Sequence, residues 1–290
     1  MNLRDLQYLV TVADCGQFAR AAKICNVSQP SLSIQLKKLE DELGVTLFER
    51  GGRQIIVTQA GSAIIEQARS ALDIIKQMRA TAKQHAGIET EFRLGIIPTI
   101  APYLLPSYLP RLRQALPHLK LVLVENQTAE LEKLLVQGAL DAIIVALPLE
   151  SGRFKTAKLY TERCLVAVPK HHRLAKRKRI TTKDLSDEVM LLLDEGHCLR
   201  NQALTLCSRL GIKQQTSFRA TSLETLRQMV AAGAGITIMP ESAIRKTDNI
   251  TYIPCNDPGF SRDIGIAWRS STSQGKLIAD LKKYALNPCQ

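Results

Sequence analysis

Two cysteines that stand nine positions apart, Cys198 and Cys207, point to redox chemistry in this sequence. Their segment has apolar residues at helical spacing and a glycine at its end, which predicts an amphipathic helix over 199–210: Leu199, Ala203, Leu206, Leu210 and Gly211. On such a helix the two cysteines lie about half a turn out of phase and about 13 Å apart along the axis. A disulfide needs Cα atoms within about 7 Å, so a Cys198–Cys207 bond would have to remodel the helix.

The position of each thiol predicts its role. Amide groups at a helix start favour negative charge, so Cys198 is the better candidate for attack as a thiolate and Cys207 for the resolving thiol. A peroxide would oxidise Cys198 to a sulfenic acid, which condenses with a second thiol. Closing so short a loop stabilises the bond by about 2–3 kcal/mol at most, and unwinding the helix costs a similar order, which suits a reversible switch. On the residues alone, two unrelated core cysteines are the slightly favoured alternative.

The composition predicts more than one globular domain, because the chain has 290 residues of which 45% are hydrophobic. No apolar run is long enough to span a bilayer, which predicts a cytoplasmic protein without a membrane partner. The seven cysteines form no CxxC pair and no zinc-type grouping with histidine, so neither a metal nor a cofactor is predicted. The formal charge of +12 is weak evidence for nucleic-acid binding, since residues 1–90 carry 11 Lys and Arg against 9 Asp and Glu.

The first 58 residues predict a helix-turn-helix followed by a wing. One helix covers Phe18–Cys25, and the next begins at Pro30 and ends before Gly44, as proline and glycine prefer. Small polar residues at the start of the second helix are typical of a DNA-reading helix: Gln29, Pro30, Ser31, Ser33 and Gln35. Short strands around residues 49–53 predict a wing with Arg50 and Arg53 at its tip. The alternative is a small helical domain whose polar face is merely hydrated.

Residues 60–86 contain neither proline nor strand-like alternation and predict one long helix. Its apolar stripe consists of Ile64, Ala68, Ala71, Ile75 and Met78. A lone helix cannot bury such a stripe, so the predicted partner is the same helix of a second subunit. Residues 87–90 are predicted to form a hinge.

Beyond residue 91, short apolar runs alternate with helical segments, which predicts an α/β arrangement with a mostly parallel sheet. Strands are predicted at 93–97, 119–124, 142–146, 164–168, 189–193, 236–239 and 264–268, and helices at 103–115, 129–138, 199–210, 223–232 and 275–284. In such sheets ligands bind beyond the carboxyl ends of strands. Thr99, Thr128 and the segment 194–198 each follow a strand and are predicted to face one cleft. Helix N-caps are the favoured alternative for the two threonines.

The run from Ala19 to Arg50 resembles the winged helix-turn-helix of LysR-type transcriptional regulators, and Thr58–Gly61 is similar to the entry of that family's linker helix. Many members carry a basic residue where this sequence has Ile34, which puts in doubt which side chains read bases. The resemblance implies that residues beyond 91 form a two-lobed effector domain with a periplasmic-binding-protein-like fold.

The motif Gly196-His197-Cys198 with Cys207 closely resembles the hydrogen-peroxide-sensing members of that family, together with the runs 218–226 and 229–233. The similarity extends from Met1 to the closing helix. It implies that Cys198 reacts with peroxide and that Cys207 is its disulfide partner. The residues that it implies for the pocket that orients peroxide are Thr99, Thr128, His197 and Arg269. Hydroxyl and imidazole groups would hold the oxygens, and a guanidinium would favour the thiolate.

The resemblance also implies the domain plan and the partners. The winged helix-turn-helix occupies 1–58, the linker helix and hinge 59–90, and the regulatory domain 91–290, with lobe I at about 91–161 and 266–290 and lobe II at about 162–265. The implied protein is a redox-regulated transcription factor of antioxidant genes, not an enzyme. It acts on promoter double-stranded DNA as a dimer of dimers, alters contact with RNA polymerase, and is reset by thioredoxin or by glutaredoxin with glutathione.

Two other functions stay open at this point. The first is a LysR-type regulator that responds to a small metabolite between the lobes and has inert cysteines. The second is a thiol peroxidase, which would have no need of the N-terminal DNA-binding segment.

Overall fold

The computed structural model describes residues 1–49, 55–85, 90–149, 151–186, 188–210, 213–245, 249–272 and 274–285. For residues 77, 80–85, 90, 207, 209–210, 213–218 and 258 it describes the backbone alone. The chain divides into two compact units, residues 1–90 with 271–274 and residues 91–270 with 275–290. Within the described ranges, no helix combines the length and the apolar character that crossing a bilayer requires.

The N-terminal unit is a helix-turn-helix with a two-stranded ribbon and a long helix, as predicted. Its elements are α1 (Leu3–Cys15), α2 (Phe18–Ile24), α3 (Gln29–Leu43), β1 (Phe48–Glu49), β2 (Ile56–Val57) and α4 (Gln59–His85). Ser28 caps α3 by accepting a hydrogen bond from the backbone N–H of Ser31 at 3.3 Å, and Gly44 ends the helix at φ +71°. Leucines of α1 and α3 and the aromatic residue of β1 pack into one core.

The stripe predicted on α4 is only partly exposed. Ala68 is 3% exposed because it packs into the core of the N-terminal unit, together with Ile65 of the same helix. Farther along, Ile74 is 53% exposed and Met78 is 68% exposed. Among the described side chains of α4, the exposed large apolar ones therefore lie in its later turns. Residues 86–89 of the predicted hinge lie outside the described residues.

The C-terminal unit alternates strands and helices. Its elements are β3 (Thr90–Ile96), α5 (Ala101–Ala115), β4 (Leu119–Glu125), α6 (Thr128–Val136), β5 (Ala142–Leu147), β6 (Phe154–Pro169), β7 (Val189–Leu193), α7 (Cys198–Leu210), β8 (Lys213–Ala220), α8 (Leu223–Ala231), β9 (Thr237–Pro240), β10 (Ile250–Pro254), β11 (Ser261–Arg269) and α9 (Gly275–Tyr284). Each helix and strand predicted from the sequence has a counterpart here, but β8, β10 and the first ten residues of β6 were not predicted.

Strand β6 joins two lobes. Its residues 154–163 pair with β11, which pairs on its other side with β5, and β5 pairs in parallel with β3. Its residues 164–169 pair with β9 and β10 instead. One hydrophobic core therefore surrounds β3, β5 and β11, and a second surrounds β7, α7 and α8. The two-lobed prediction is confirmed, and the predicted lobe limits at 161 and 266 fall inside the two strands that link the lobes.

Candidate functional site

The start of α3 presents polar residues to solvent in the N-terminal unit. Gln29, Pro30 and Ser31 are exposed, and Ser33 is half-buried. The remaining residue predicted for this face, Gln35, is half-buried as well. Its Nε2 donates to Oδ1 of Asp5 at 2.8 Å, because that carboxylate is buried and requires donors. Arg50 and Arg53, predicted at the wing tip, lie outside the described residues.

Cys198 is the first residue of α7, and its thiol is free and half-buried. The helix backbone continues without interruption to Leu210, so Cys207 lies nine residues, or about 13 Å of helical rise, farther along. Leu199 and Leu206 of α7 pack into the core of the second lobe. Cys198 packs instead against the core of the first lobe. The thiol therefore lies where the two lobes meet.

Thr99 is hydrogen-bonded to the side chain of Arg262. The Nη1 of Arg262 donates to the hydroxyl oxygen of Thr99 at 3.0 Å, and its Nη2 donates to the Thr99 carbonyl at 3.0 Å. Both residues are buried. Thr99 is not a helix N-cap, since Ile100 occupies that position of α5. The N-cap alternative is therefore wrong for this threonine, whose hydroxyl orients a guanidinium instead.

Glu162 completes this buried group and was not foreseen from the sequence. Its Oε2 accepts from Nε of Arg262 at 2.8 Å and lies 2.6 Å from Nη2, and its Oε1 accepts from the hydroxyl of Ser242. Burial pulls the pKa of Arg262 down, but the charge of Glu162, helped by Cys198 and Cys164, raises it overall. Arg262 therefore stays a cation, and the Cys198 thiol is among the groups that interact with it electrostatically.

Arg269, which the resemblance implies for the peroxide pocket, is hydrogen-bonded at another place in the structure. Its Nη1 donates to the backbone carbonyls of Leu135 at 2.5 Å and Leu140 at 2.7 Å. These carbonyls lie at and just beyond the C-terminal end of α6, the end opposite to Thr128. Carbonyls at a helix end lack intrahelical donors and favour a cation, which accounts for the position of Arg269. The arginine seven residues earlier on β11, Arg262, is the one at Thr99.

Thr128 begins α6, and its N-cap is Gln127, so the N-cap alternative is wrong here as well. The Thr128 hydroxyl oxygen is buried and has no hydrogen-bond partner among the described residues. Leaving such a group unpaired costs about 1–3 kcal/mol, so the hydroxyl is available to a bound molecule. Gln127 ties this helix start to the loop before Cys198, since its Nε2 donates to the Glu195 carbonyl at 2.9 Å.

His197 is 6% exposed, directly before Cys198. Burial lowers its pKa from the ordinary value of 6.5, and the charge of Asp194 only partly opposes this effect. The imidazole is therefore neutral at neutral pH and can accept or donate a hydrogen bond, according to its tautomer.

The lowered pKa of His197 predicts an acid-dependent loss of stability. Below pH 6.5 the unfolded state takes up this proton before the folded state does, so the free energy of unfolding falls with pH until the folded pKa is passed. We expect the melting temperature of His197→Asn to fall less between pH 7 and pH 5 than that of the unaltered protein. His118→Asn, at an exposed position after α5, is the control and should keep the full fall. Equal falls in all three proteins would contradict this assignment.

Gly196 allows the loop before Cys198 to approach α6. It has φ +87°, and a Cβ placed on it would lie 2.0 Å from Oε1 of Gln127. We expect Gly196→Ala to lower the free energy of unfolding by about 1–3 kcal/mol, through backbone strain and loss of the Gln127–Glu195 hydrogen bond. Gly233→Ala is the matched control, because its φ of +83° gives similar strain with nothing within 4 Å. Urea unfolding measures the free energy of unfolding of both variants. If Gly196→Ala lowered it no more than Gly233→Ala does, the close approach of Gly196 to Gln127 would be unimportant for stability.

The site thus brings together a thiol, a cation held by a carboxylate and a buried unpaired hydroxyl. A thiolate beside a guanidinium can attack an electrophile, and the hydroxyl can bind one of its polar atoms. Within the described ranges, no three His, Cys, Asp or Glu residues are grouped to hold a metal ion.

Comparison with known proteins identifies both units. Residues 3–62 match the bacterial regulatory helix-turn-helix proteins of the lysR family, and residues 85–289 match the LysR substrate binding domain. The DNA-binding transcriptional dual regulator OxyR of Escherichia coli is 46% identical over 273 residues, which cover 93% of this chain and 90% of that protein. A probable hydrogen peroxide-inducible genes activator of Mycobacterium leprae is 37% identical over 97% of this chain and 92% of that protein.

Solved structures agree. A full-length OxyR variant from Pseudomonas aeruginosa is 36% identical, with a TM-score of 0.74, and the match covers 98% of this chain and 97% of that chain. A hydrogen-peroxide-bound OxyR variant from Corynebacterium glutamicum is 37% identical, with a TM-score of 0.66, over 100% of this chain and 92% of that one. The chain belongs to the LysR family of bacterial transcriptional regulators and, within that family, is similar to the OxyR proteins.

Proposed function

We propose that this chain is a DNA-binding transcription regulator that senses hydrogen peroxide through a reversible disulfide between Cys198 and Cys207. The observation that carries the proposal is the free thiol of Cys198 at the start of α7, between the two lobes and in the field of the buried Arg262. The relatives named as hydrogen peroxide-inducible genes activators support the same reading.

The first chemical step is attack of the Cys198 thiolate on one oxygen of hydrogen peroxide. An S–O bond forms as the O–O bond breaks, the sulfur loses two electrons, and the hydroxide that leaves takes a proton to become water. Arg262 stabilises the thiolate and the departing hydroxide, and the Thr128 hydroxyl binds a peroxide oxygen. Thr99 acts through Arg262, whose guanidinium it orients. The neutral imidazole of His197 supplies a further hydrogen bond.

The second step joins the two sulfurs. The Cys207 thiolate attacks the sulfur of the Cys198 sulfenic acid, the S–O bond breaks, and hydroxide leaves as water after protonation. The helical rise between the two residues exceeds the Cα separation that a disulfide allows, so α7 must unwind between them. Oxidation is thereby converted into a change of shape in the second lobe.

The change of shape in the second lobe is proposed to alter how the protein contacts DNA, its other subunits and RNA polymerase. The exposed start of α3, with Gln29, Pro30, Ser31 and Ser33, contacts promoter double-stranded DNA, and Arg50 and Arg53 contact it from the wing. Two dimers assemble into a tetramer, whose altered subunit contacts change the interaction with RNA polymerase at antioxidant genes. Thioredoxin, or glutaredoxin with glutathione, reduces the disulfide, and the chain does not turn over peroxide as an enzyme. The domains are those delimited by residues 1–58, 59–90 and 91–290.

The proposal is tested on the full-length protein by disulfide mapping and by footprinting on a genomic fragment selected with the reduced protein. One equivalent of peroxide should join Cys198 to Cys207 and change the footprint, both in the unaltered protein and in Cys255→Ser. Cys198→Ser should show neither change. A footprint that still switches in Cys198→Ser, or cysteines that stay reduced while a metabolite switches it, would contradict the proposal. Continuous peroxide consumption with thioredoxin would indicate a thiol peroxidase instead.

A further inference from the structure

Glu162 and Arg262 form a buried ion pair, and the guanidinium of this pair interacts electrostatically with the Cys198 thiol. The two residues face each other across strands β6 and β11, and their side chains are 1% and 4% exposed. Burying two charges is costly unless they are paired and hydrogen-bonded. Here both carboxylate oxygens of Glu162 are occupied, Oε2 by Arg262 and Oε1 by Ser242. The position of the carboxylate is therefore fixed from two sides.

This arrangement leaves one hydrogen of the guanidinium available. Arg262 has five N–H groups. Two of them, on Nε and Nη2, are directed at Glu162. Two more, on Nη1 and Nη2, are donated to the hydroxyl and the carbonyl of Thr99. Among the described residues, no acceptor is recorded for the second Nη1 hydrogen. Glu162 thus determines which edge of the guanidinium remains free for a thiolate or a bound oxygen.

The carboxylate also determines how much positive charge Cys198 experiences. A guanidinium alone in a buried site would stabilise a neighbouring thiolate strongly, since Coulomb interactions are weakly screened there. With Glu162 at hydrogen-bond distance the pair is neutral, and forming the thiolate makes the site negative. The charge of Glu162 therefore opposes the stabilisation that Arg262 provides.

We propose that Glu162 is a positioning residue that orients Arg262 and, by offsetting its charge, keeps the Cys198 thiolate less stable than the guanidinium alone would make it. The inference rests on the proposed function and names a determinant of its sensitivity. By its charge, Glu162 lowers the fraction of Cys198 that is thiolate at a given pH. By orienting Arg262, it raises the rate at which that fraction reacts with peroxide.

Between pH 7 and pH 9, the other titratable groups around the ion pair do not account for a change in the stability of the Cys198 thiolate. Burial raises the pKa of Cys164 to about 12 and also raises that of Tyr103. Glu241 interacts with Cys164 and is paired with the exposed Arg163, which donates to it at 3.0 and 2.6 Å. His197 titrates below its ordinary range because it is buried. The charge nearest to the guanidinium of Arg262 is therefore that of Glu162, with which it is paired.

The test compares Glu162→Gln with Glu241→Gln in the full-length protein. Peptide mass spectrometry follows two rates at Cys198 from pH 5 to pH 9: alkylation by iodoacetamide and oxidation by peroxide. In Glu162→Gln we expect the pH midpoint of alkylation to fall by about 1 unit, because the charge of Arg262 is no longer offset. The peroxide rate at high pH should also fall, because Arg262 loses its orientation. Glu241→Gln removes the same charge from a neighbouring pair and should move the midpoint by less than about 0.3 unit.

An alkylation midpoint that is unchanged or higher in Glu162→Gln would overturn the proposal. If that variant does not fold, Ser242→Ala replaces it. Ser242→Ala keeps both charges but removes a hydrogen-bond donor from Glu162. The negative charge of the carboxylate then acts more strongly on Cys198, so the alkylation midpoint should rise. A lower or unchanged midpoint would count against the proposal. Failure of the proposed function is distinguishable, because peroxide would then leave Cys198 unoxidised while the alkylation midpoint still shifts.

Discussion

Replacing Arg262 by methionine is expected to slow the oxidation of Cys198 by hydrogen peroxide about 10²–10³-fold, the usual cost of losing one donor to a developing oxyanion. The guanidinium is buried, remains charged and interacts electrostatically with Cys198, so its removal affects both the thiolate and the leaving hydroxide. Arg262→Lys, which keeps the charge but not the two bonds to Thr99, should retain more of the rate. Stopped-flow mixing with peroxide, followed by quenching and mass spectrometry, gives the rate constants.

Arg269→Met is the matched control for that experiment, since both arginines lie on β11. Arg269 binds the carbonyls of Leu135 and Leu140, so its loss should lower stability while leaving the peroxide rate within about threefold of the unaltered protein. If Arg269→Met lost as much rate as Arg262→Met, the assignment of the peroxide site to Arg262 would be wrong.

Cys207→Ser is expected to separate oxidation from signalling. Cys198 should still react with peroxide, because the groups around it are unchanged, and its sulfenic acid should accumulate and be labelled by dimedone. Without the second sulfur, α7 has no reason to unwind, and the DNA footprint should stay that of the reduced protein. Footprinting and dimedone labelling of the same samples measure both effects.

Cys164→Ser and Cys255→Ser are controls for the loss of a thiol elsewhere. Cys164 is buried and its pKa is raised to about 12, and the pKa of Cys255 is raised to about 11 by burial, so neither supplies a reactive thiolate near neutral pH. Both variants should form the Cys198–Cys207 bond and switch the footprint normally. A Cys207→Ser protein that switches as fully as these two would show that the sulfenic acid alone carries the signal.

Periodicity predicted the elements that have a clear apolar stripe. The helix over 199–210 begins one residue earlier, at Cys198, and β7 and α9 have the predicted limits. Strand β8 was missed because Lys213–Ala220 is largely polar, and its pairing with β7 is made by backbone groups. Strand β10 was missed although Ile250–Pro254 contains strand-favouring residues.

The least predictable part of the site is its charged group. In sequence, Glu162 and Arg262 look like exposed polar positions, and the buried carboxylate interrupts the pattern that would have extended β6 before residue 164. Each charge can be buried only because the opposite charge lies next to it on the neighbouring strand. The register of β6 against β11 places them side by side, and that register cannot be read from either strand alone. The resemblance implied Arg269 of the same strand, whose Nη1 donates to carbonyls at and beyond the end of α6, and it did not point to Arg262.

For Thr99 and Thr128, the local sequence favoured a role that the structure does not show. A residue just after a strand and just before a helix is usually an N-cap, so the local pattern favoured that role for Thr99 and Thr128. The structure assigns the caps to Ile100 and Gln127. The Thr99 hydroxyl therefore accepts a hydrogen bond from Arg262. The Thr128 hydroxyl has no partner among the described residues. Only the tertiary arrangement distinguishes a capping hydroxyl from one that faces a ligand site.

Hydrogen exchange across residues 198–210 tests most directly whether the disulfide requires α7 to unwind. The amides of α7 are to be followed by mass spectrometry before and after one equivalent of peroxide, in the unaltered protein and in Cys207→Ser. Unwinding predicts that these amides exchange at least about tenfold faster once the Cys198–Cys207 bond has formed, and that Cys207→Ser keeps its protection after oxidation. Full protection of α7 in a sample whose Cys198–Cys207 bond is complete would contradict the account.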